Sequence, residues 1–367
     1  MYIHECREWP NFTWDQTRVT GLLADTRHLQ GRLLGRMEAL GFELREEATL
    51  QSLTQDVLKT CEIEGVILDA EQVRSSIARR LGIDIGISPH VARNVEGIVE
   101  VMMDATRNYD TPLTTQRLFD WHAALFPTGR SGMHRITVGA WRGDSSGAMQ
   151  VVSGPAGREK VHFEAPGHER VKPEMDRFIY WFNSRIEMDL VLKSSLAHFW
   201  FITIHPFDDG NGRIARTISD MLLAKSEKSD QRFYSMSSQI QKERSTYYHI
   251  LEKCQKGTLD ITLWVEWFLG CLKRAIEDSE KTLETILTKA LFWENHAGES
   301  FNDRQFSMVN RLLNGFEGKL TSSKWAKMEK CSQDTALRDI NNLVEHKILT
   351  KERGGGRSTS YALITGQ

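Results

Sequence analysis

At 367 residues the chain exceeds one usual domain, and 40% hydrophobic with 26% charged residues is the composition of a globular protein with room for two or three cores. A net charge of −2 gives no global field toward nucleic acid or an anionic membrane, so binding to either has to come from a local patch. The five cysteines, at 6, 61, 254, 271 and 331, are odd in number and never CxxC-spaced, which argues against a disulfide framework and a zinc cluster and fits a reducing cytoplasm.

In chain order, MYIHECREWPNFTWD is charged and aromatic where a signal peptide would be apolar, so an unprocessed soluble chain is expected. Val19, Leu22, Leu23, Leu29, Leu33, Leu34, Met37 and Leu40 recur at three- and four-residue spacing and predict a helix. Leu50, Leu53, Val57, Leu58 and Cys61 predict a second, ending near Gly65. A third is expected from Ser88-Pro89, a cap followed by a proline suited to the first helical position, with Val91, Val95, Ile98, Val99, Met102 and Met103 on one stripe. All three stripes read as core.

From Gly132 to Gly167 the helical period disappears. MQVVS and KVHFE are β-rich runs joined by GPAGRE, the pattern of a hairpin with a glycine-containing loop. Helices resume around Lys172. The run from Leu190 to Ile204, LVLKSSLAHFWFITI, is apolar enough for a buried central helix, while Lys193 and His198 argue against a membrane span. RIARTISDMLLAKS opens the next helix. After Phe301 the expected order is a helix, a second after Ser322, a third from about Gln333 to His346, and two short strands around GGGR, which resembles a winged helix-turn-helix.

Between the two central helices lies HPFDDGNGRIAR, His205 to Arg216. Gly210 and Gly212 just before a helix leave backbone N–H groups free to point into a concavity, and the helix dipole behind them makes an anion site. Arg213 and Arg216, three apart, add charge-assisted hydrogen bonds to phosphate oxygens. Asp209 beside such an anion calls for a hard cation between them, and magnesium shared between one carboxylate and phosphate oxygens is the usual answer. His205 supplies a base of near-neutral pKa for an attacking hydroxyl. The set describes phosphoryl-type transfer from a magnesium nucleotide to a hydroxyl.

This stretch resembles the catalytic motif of the Fic (filamentation induced by cAMP) family, HxFx(D/E)GNGRxxR, at every fixed position. The order of inhibitory segment, flap, central helix and motif is similar to the family's over nearly the whole chain. The resemblance implies a mainly α fold: a Fic-type helical core with a β-hairpin flap, followed here by the winged helix. It implies AMPylation, the transfer of AMP from ATP to a protein hydroxyl with release of pyrophosphate. By that resemblance His205 is the base and Asp209 the Mg2+ ligand. Gly210, Asn211 and Gly212 are the phosphate cradle, Arg213 and Arg216 the clamps, and Phe207 the loop's anchor. The flap at 149–167 would receive a target protein as an added strand. Tyr247 and Tyr248 would lie near the adenine. TCEIEG, Thr60 to Gly65, matches the family's inhibitory pattern (S/T)xxxE(G/N), whose glutamate, here Glu64, pairs with the second arginine, here Arg216.

GNGR is kept where phosphorylating relatives carry a lysine and a shortened glycine pattern, and no GxxxxGK[ST] occurs, so nucleotidyl transfer is favoured over kinase or P-loop chemistry. The expected division is 1–85 for an N-terminal helical module with the inhibitory motif, 86–300 for the catalytic core and 301–367 for the winged helix. Residues 319–357 hold nine Lys/Arg against five acids, a local balance of +4, and GGGRSTS with Arg353 and Arg357 suits a wing on phosphates. Acids interrupt the expected recognition helix, and such modules also dock proteins, so DNA and protein partners both stay open, as does a homodimer. The rival to an AMP transferase is a DNA-binding regulator whose core only senses nucleotide.

Overall fold

The computed structural model describes residues 1–84, 90–144, 147–154, 158, 160–185, 187–313, 316, 318–352 and 359–364. Fourteen α-helices and three two-stranded antiparallel hairpins are formed among them. The chain divides into two compact units, Met1–Ser279 and Glu280–Gln367.

In the first unit a short 3₁₀ turn, Ile3–Glu5, precedes α1 (Gln16–Glu38), α2 (Phe42–Ile63), α3 (Ala70–Leu81), α4 (Arg93–Arg107) and α5 (Thr115–Leu125). Next come β1 (Arg130–Ser131), β2 (His134–Arg135), β3 (Gln150–Ser153) and β4 (Lys160–Glu164). They are followed by α6 (His168–Asn183), α7 (Leu190–Ile204), α8 (Asn211–Glu227), α9 (Met236–Lys242) and α10 (Arg244–Gln255). The helix α11 (Thr262–Asn295) carries the chain into the second unit, where α12 (Asp303–Leu313), α13 (Ser322–Met328), α14 (Gln333–Glu345), β5 (Leu349–Lys351) and β6 (Tyr361–Leu363) follow.

α7 is the hub. Every residue from Val191 to Ile204 is buried, so it has no solvent face and must be wrapped on all sides. Asp189 caps its start by accepting from Val191 N and Leu192 N. Its polar members are satisfied internally: Lys193 Nζ donates to Phe182 O and Ser184 O at 2.8 and 2.9 Å, and His198 lies between Ser219 Oγ and Tyr247 Oη, 3.0 Å from each. Burial pushes the Lys193 ammonium down to about 8. Of the stripes expected to be core, Val19, Leu29, Leu33 and Met37 of α1, Leu50, Leu53, Val57 and Cys61 of α2, and Val95, Ile98, Val99, Met102 and Met103 of α4 are buried. Leu22, Leu23, Leu34, Leu40, Leu58 and Val91 are only half-buried, and Val91 precedes α4.

Several boundaries differ from the sequence expectation. α3 and α5 stand where no helix is read from periodicity, and α6 opens at His168, four residues before Lys172. Pro173 lies in the second turn of α6, where it removes the i→i−4 bond to Glu169 O. Ser88-Pro89, the expected start of the third helix, lies outside the described residues, and α4 begins at Arg93. The hairpin is present as β3 against β4, pairing Gln150 with Glu164, Val151 with Phe163, Val152 with Val161 and Ser153 with Lys160, with a bulge between Val151 and Val152. It sends Phe163 into the core and leaves Val152 and Val161 exposed.

The second unit has its own core. Met308, Val309, Trp325, Ala336, Ile340, Leu343 and Leu349 close on Phe292 from the end of α11. Asp339 of α14 is turned inward and held by Arg304 Nε and Nη2 at 2.7 and 3.1 Å. Arg353, Arg357 and the GGGR stretch lie outside the described residues.

Candidate active site

The loop 205–210 is bounded by two left-handed residues. His205 ends α7 at φ 53°, ψ 59°, with its N–H on Phe201 O at 3.0 Å, and Gly210 caps α8 at φ 81°. A histidine in this region costs on the order of 1 kcal/mol, so the turn is held by its surroundings rather than by local preference. Phe207 provides the anchor. It is buried on His122 with ring centroids 4.2 Å apart and nearly parallel planes, and Trp141 packs beside it at 5.1 Å.

Asn211 staples the loop from inside. Its Oδ1 accepts from Phe207 N at 2.9 Å and its Nδ2 donates to Phe207 O at 2.8 Å. The side chain is therefore spent on the backbone, and only the Asn211 N–H is available to a phosphate cradle. Further on, Thr137 N donates to Asp208 at 2.8 Å and the His122 ring reaches Asp209 O at 3.1 Å. With Gly139 N donating to His122 Nδ1 at 3.2 Å, the His122 proton sits on Nε2. Burial pushes His122 down to about 4 and keeps it neutral.

His205 Nδ1 lies 3.2 Å from Ile202 O, so its proton is directed there and Nε2 keeps a lone pair. Burial pushes its pKa down to about 4, against the hydrogen bond to Ile202 and with help from the Arg142 charge. At neutral pH the imidazole is a base, not an acid. Asp209 accepts from Ser131 Oγ and, at 2.5 Å, from Gly210 N. No group of three or more His, Cys, Asp or Glu able to hold a metal alone occurs among the described residues. The Asp209 carboxylate alone would suit a hard cation that takes its remaining ligands from phosphate and water.

At the start of α8, where the sequence leads one to expect an anion, a carboxylate of the chain itself is found. Arg216 is buried to 2% exposure, its Nε donates to Thr60 Oγ1 at 2.7 Å and its Nη2 to Thr60 O at 2.9 Å and Glu64 Oε1 at 2.7 Å. Burial opposes its charge, and the Glu64 carboxylate together with Tyr247 and Tyr248 more than offsets that and raises its pKa. A Cβ on Gly212 would run into Glu64 Oε1, with Arg216 Nη1 at 3.2 Å. The carboxylate thus rests against the α-carbon at the helix N-terminus, where an anion gains from free N–H groups and the dipole. Among the described residues Arg216 Nη1 and Arg213 Nε are buried without a hydrogen-bond partner, and the Arg213 guanidinium lies over the Phe126 ring at 4.8 Å. Unsatisfied buried guanidinium nitrogens beside a helix N-terminus suit a polyphosphate.

The two tyrosines part company. Tyr247 is buried with its hydroxyl on His198, while Tyr248 is 39% exposed with the Arg244 guanidinium 5.7 Å from its ring centroid. Helical period could have separated them, since Tyr247, Leu251 and Cys254 form the buried face of α10. Three residues at this site carry no sequence signal: His122 under the loop, Ser131 on Asp209, and Arg142, which is buried against the backbone of the loop.

A mainly helical protein with a hairpin flap and a phosphate-type loop between two central helices is a Fic-fold protein. Residues 112–223 match the family model described as Fic/DOC family, and residues 2–83 match a domain of unknown function, DUF4172. The loop lies inside the residues matched by the Fic/DOC family model, and Glu64 inside those matched by DUF4172. Curated relatives include the protein adenylyltransferase Fic of Drosophila mojavensis, 26% identical over 246 residues, 65% of this chain and 42% of the relative. That of Drosophila melanogaster is 26% identical over the same share of this chain and 43% of its own. The chain thus spans less than half the length of these relatives. A Fic family protein from Desulfovibrio desulfuricans G20 has a similar structure, with a TM-score of 0.55 at 22% identity over 98% of this chain and 99% of the other. A Fic domain containing signaling protein from Bacteroides thetaiotaomicron VPI-5482 has a TM-score of 0.50 at 20% identity over 73% and 97%.

Proposed function

We propose that this protein transfers AMP from ATP to a hydroxyl side chain of a target protein, and of itself, and that Glu64 restrains the reaction. The observation that carries this is the unpartnered pair Arg213 Nε and Arg216 Nη1 beside a glycine-lined helix N-terminus onto which Glu64 is folded. His205 Nε2 takes the proton of the incoming hydroxyl. Its oxygen forms a bond to the α-phosphorus, the bond from that phosphorus to the bridging oxygen breaks, and pyrophosphate leaves. Gly210, Gly212 and the backbone of Asn211 receive the phosphates, and Arg213 and Arg216 hold their charge. Asp209 would hold magnesium, which when bound neutralises phosphate charge. A target segment would lie along the flap at 149–167, whose exposed Val152 and Val161 offer apolar contacts. Intact mass after incubation with Mg-ATP tests the reading: the Glu64→Gly chain gains one AMP mass, and an unchanged mass for it refutes transfer.

A second reading, a DNA-binding regulator whose core only senses nucleotide, is favoured by one observation in the second unit. Asp339, one of the acids that interrupt the expected recognition helix, is buried against Arg304, while Leu337 and Arg338 of α14 are exposed. The outward side of α14 is therefore less acidic than the sequence suggests. Salt-dependent retardation of duplex DNA together with no AMP incorporation would select this reading.

A further inference from the structure

Arg142 sits in the segment between β2 and β3 and is only 5% exposed. Its backbone N–H donates to Pro206 O at 2.9 Å and its Nε to His205 O at 2.7 Å. Its Nη2 reaches Pro166 O at 2.5 Å and, more weakly, Ile204 O at 3.5 Å. Among the described residues it forms no ion pair, and burial lowers its pKa against the pull of Asp208 and Glu169. A buried guanidinium that bonds only to carbonyls is a costly way to secure a loop, offset in part by the negative end of the α7 dipole. A neutral amide could secure one carbonyl at much lower cost.

The rigid fork adds a fixed spacing. Pro166 follows the second flap strand directly, after Ala165 N bonds back to Met149 O at 2.9 Å, whereas His205 carries the proposed base. Nε and Nη2 belong to one planar group, so the carbonyls of these two segments, distant in sequence, are held at a separation the guanidinium dictates. We infer that Arg142 is a positioning residue that sets the register of the flap against His205, so that a hydroxyl on a strand laid along the flap arrives at Nε2. The inference rests on the transferase reading above. An orientation error of about 1 Å at such a step costs on the order of a hundredfold.

The test uses the full chain carrying Arg142→Gln or Arg142→Lys, read in two ways. With Glu64→Gly added, single-turnover self-modification by Mg-ATP should fall ~10- to 100-fold for both, with ATP affinity changed less than about threefold, because geometry and not phosphate binding is lost. Lysine keeps the charge but not the fork, so it should not recover the rate. Without Glu64→Gly, hydrogen exchange should quicken in both 160–167 and 201–210. A rate restored by lysine, a rate unchanged by glutamine, or exchange that quickens in one segment alone overturns the inference. Coupled exchange in a chain whose Arg142-intact control takes up no AMP would instead refute the transferase reading.

Discussion

Glu64 Oε1 lies 2.7 Å from Arg216 Nη2, and the same oxygen rests against the α-carbon of Gly212. One carboxylate therefore engages the arginine and the helix N-terminus that a polyphosphate would use. Glu64 retains 29% of its side-chain exposure while Arg216 is almost wholly buried, so the glutamate is the partner free to move.

Release of that contact should activate the protein. An ATP bound beside Glu64 can place its triphosphate only in a displaced position, and misalignment of about 1 Å costs on the order of a hundredfold. Glu64→Gly is expected to raise AMP incorporation ~10- to 100-fold, with a smaller gain in ATP affinity, since an Arg–carboxylate bond is exchanged for an Arg–phosphate bond of similar kind. Adding Arg216→Ala should abolish the gain. Equal rates for wild type and Glu64→Gly at equal folded concentration would remove the restraint from the proposal.

Gly212 offers a test that needs no activity. Its added methyl would meet Glu64 Oε1 first and Arg216 Nη1 only at 3.2 Å. Gly212→Ala should therefore push the Glu64 carboxylate, the far end of a flexible side chain, off the helix start and lower wild-type stability by about 1 kcal/mol through the weakened contact with Arg216. In Glu64→Gly the first obstacle is gone and most of the cost should disappear. The checking measurement is a double-mutant cycle in denaturant midpoint, and additive effects would show that the carboxylate does not sit on Gly212 in solution.

The loop and its two helices were legible because their signal is contiguous: an all-apolar run, a break, and a glycine-rich helix start fall within 38 residues, Leu190 to Glu227. The partner of Arg216, 152 residues away, was legible only through a short pattern similar to a known family's. Nothing local announces His122 or Arg142. Each is an ordinary residue type brought under the loop by tertiary packing, and each bonds to backbone, which leaves no sequence partner to find. Charged α3 and short α5 escaped because their stripes, Val73 with Ile77 and Leu118 with Trp121 and Leu125, run for only two or three turns, and α3 is recognisable mainly by its ends, Asp69 capping one and Gly82 at φ 77° closing the other.

Replacement of the proposed base has a defined size. His205→Ala should lose two to four orders of magnitude in AMP transfer, the usual share of general-base catalysis, while still binding ATP. Because burial pushes His205 down to about 4, the acid limb of kcat/KM in the Glu64→Gly chain should fall well below the ordinary histidine range. A limb centred near pH 6.5 would mean that another histidine is the base.

Stability should depend on pH through the same burial. His122 and His205 are pushed down to about 4 and His198 to about 3, so between pH 6.5 and those values the unfolded chain binds more protons than the folded one. Their contribution is fully present above about pH 6.5, where unfolded histidine is neutral too, and is lost as pH falls toward 4. Melting temperature should thus fall from pH 6.5 to 4.5, apart from a smaller separate rise between pH 7 and 8 as the buried Lys193, pushed down to about 8, loses its proton. His198→Gln removes one of the three groups and should make that fall shallower. An unaltered slope in this variant would show that neutral burial of His198 is not a source of it.

The boundary between the two units sets where the chain can be cut. The sequence changes character after Phe301, which invites truncation near Asn302, but α11 runs without a break from Thr262 to Asn295 and its final turns carry Phe292 and Trp293 into the core of the second unit. A chain ending at Asn302 keeps these two rings and loses Met308, Val309 and Trp325, which pack in the same cluster. Its tail would expose a contiguous apolar patch and should aggregate. A chain ending at Ser279 removes the second unit whole and keeps every contact described around the loop, including Glu64 on Arg216. With Glu64→Gly this shorter chain should remain monodisperse and take up AMP at the full-length rate, while any DNA or partner binding that belongs to the second unit disappears. Light scattering and intact mass on the two truncations decide the matter. A chain ending at Ser279 that is monodisperse and binds ATP but takes up no AMP would show that residues 280–367 contribute to catalysis, and equal solubility of the two would show that the apolar end of α11 needs no cover.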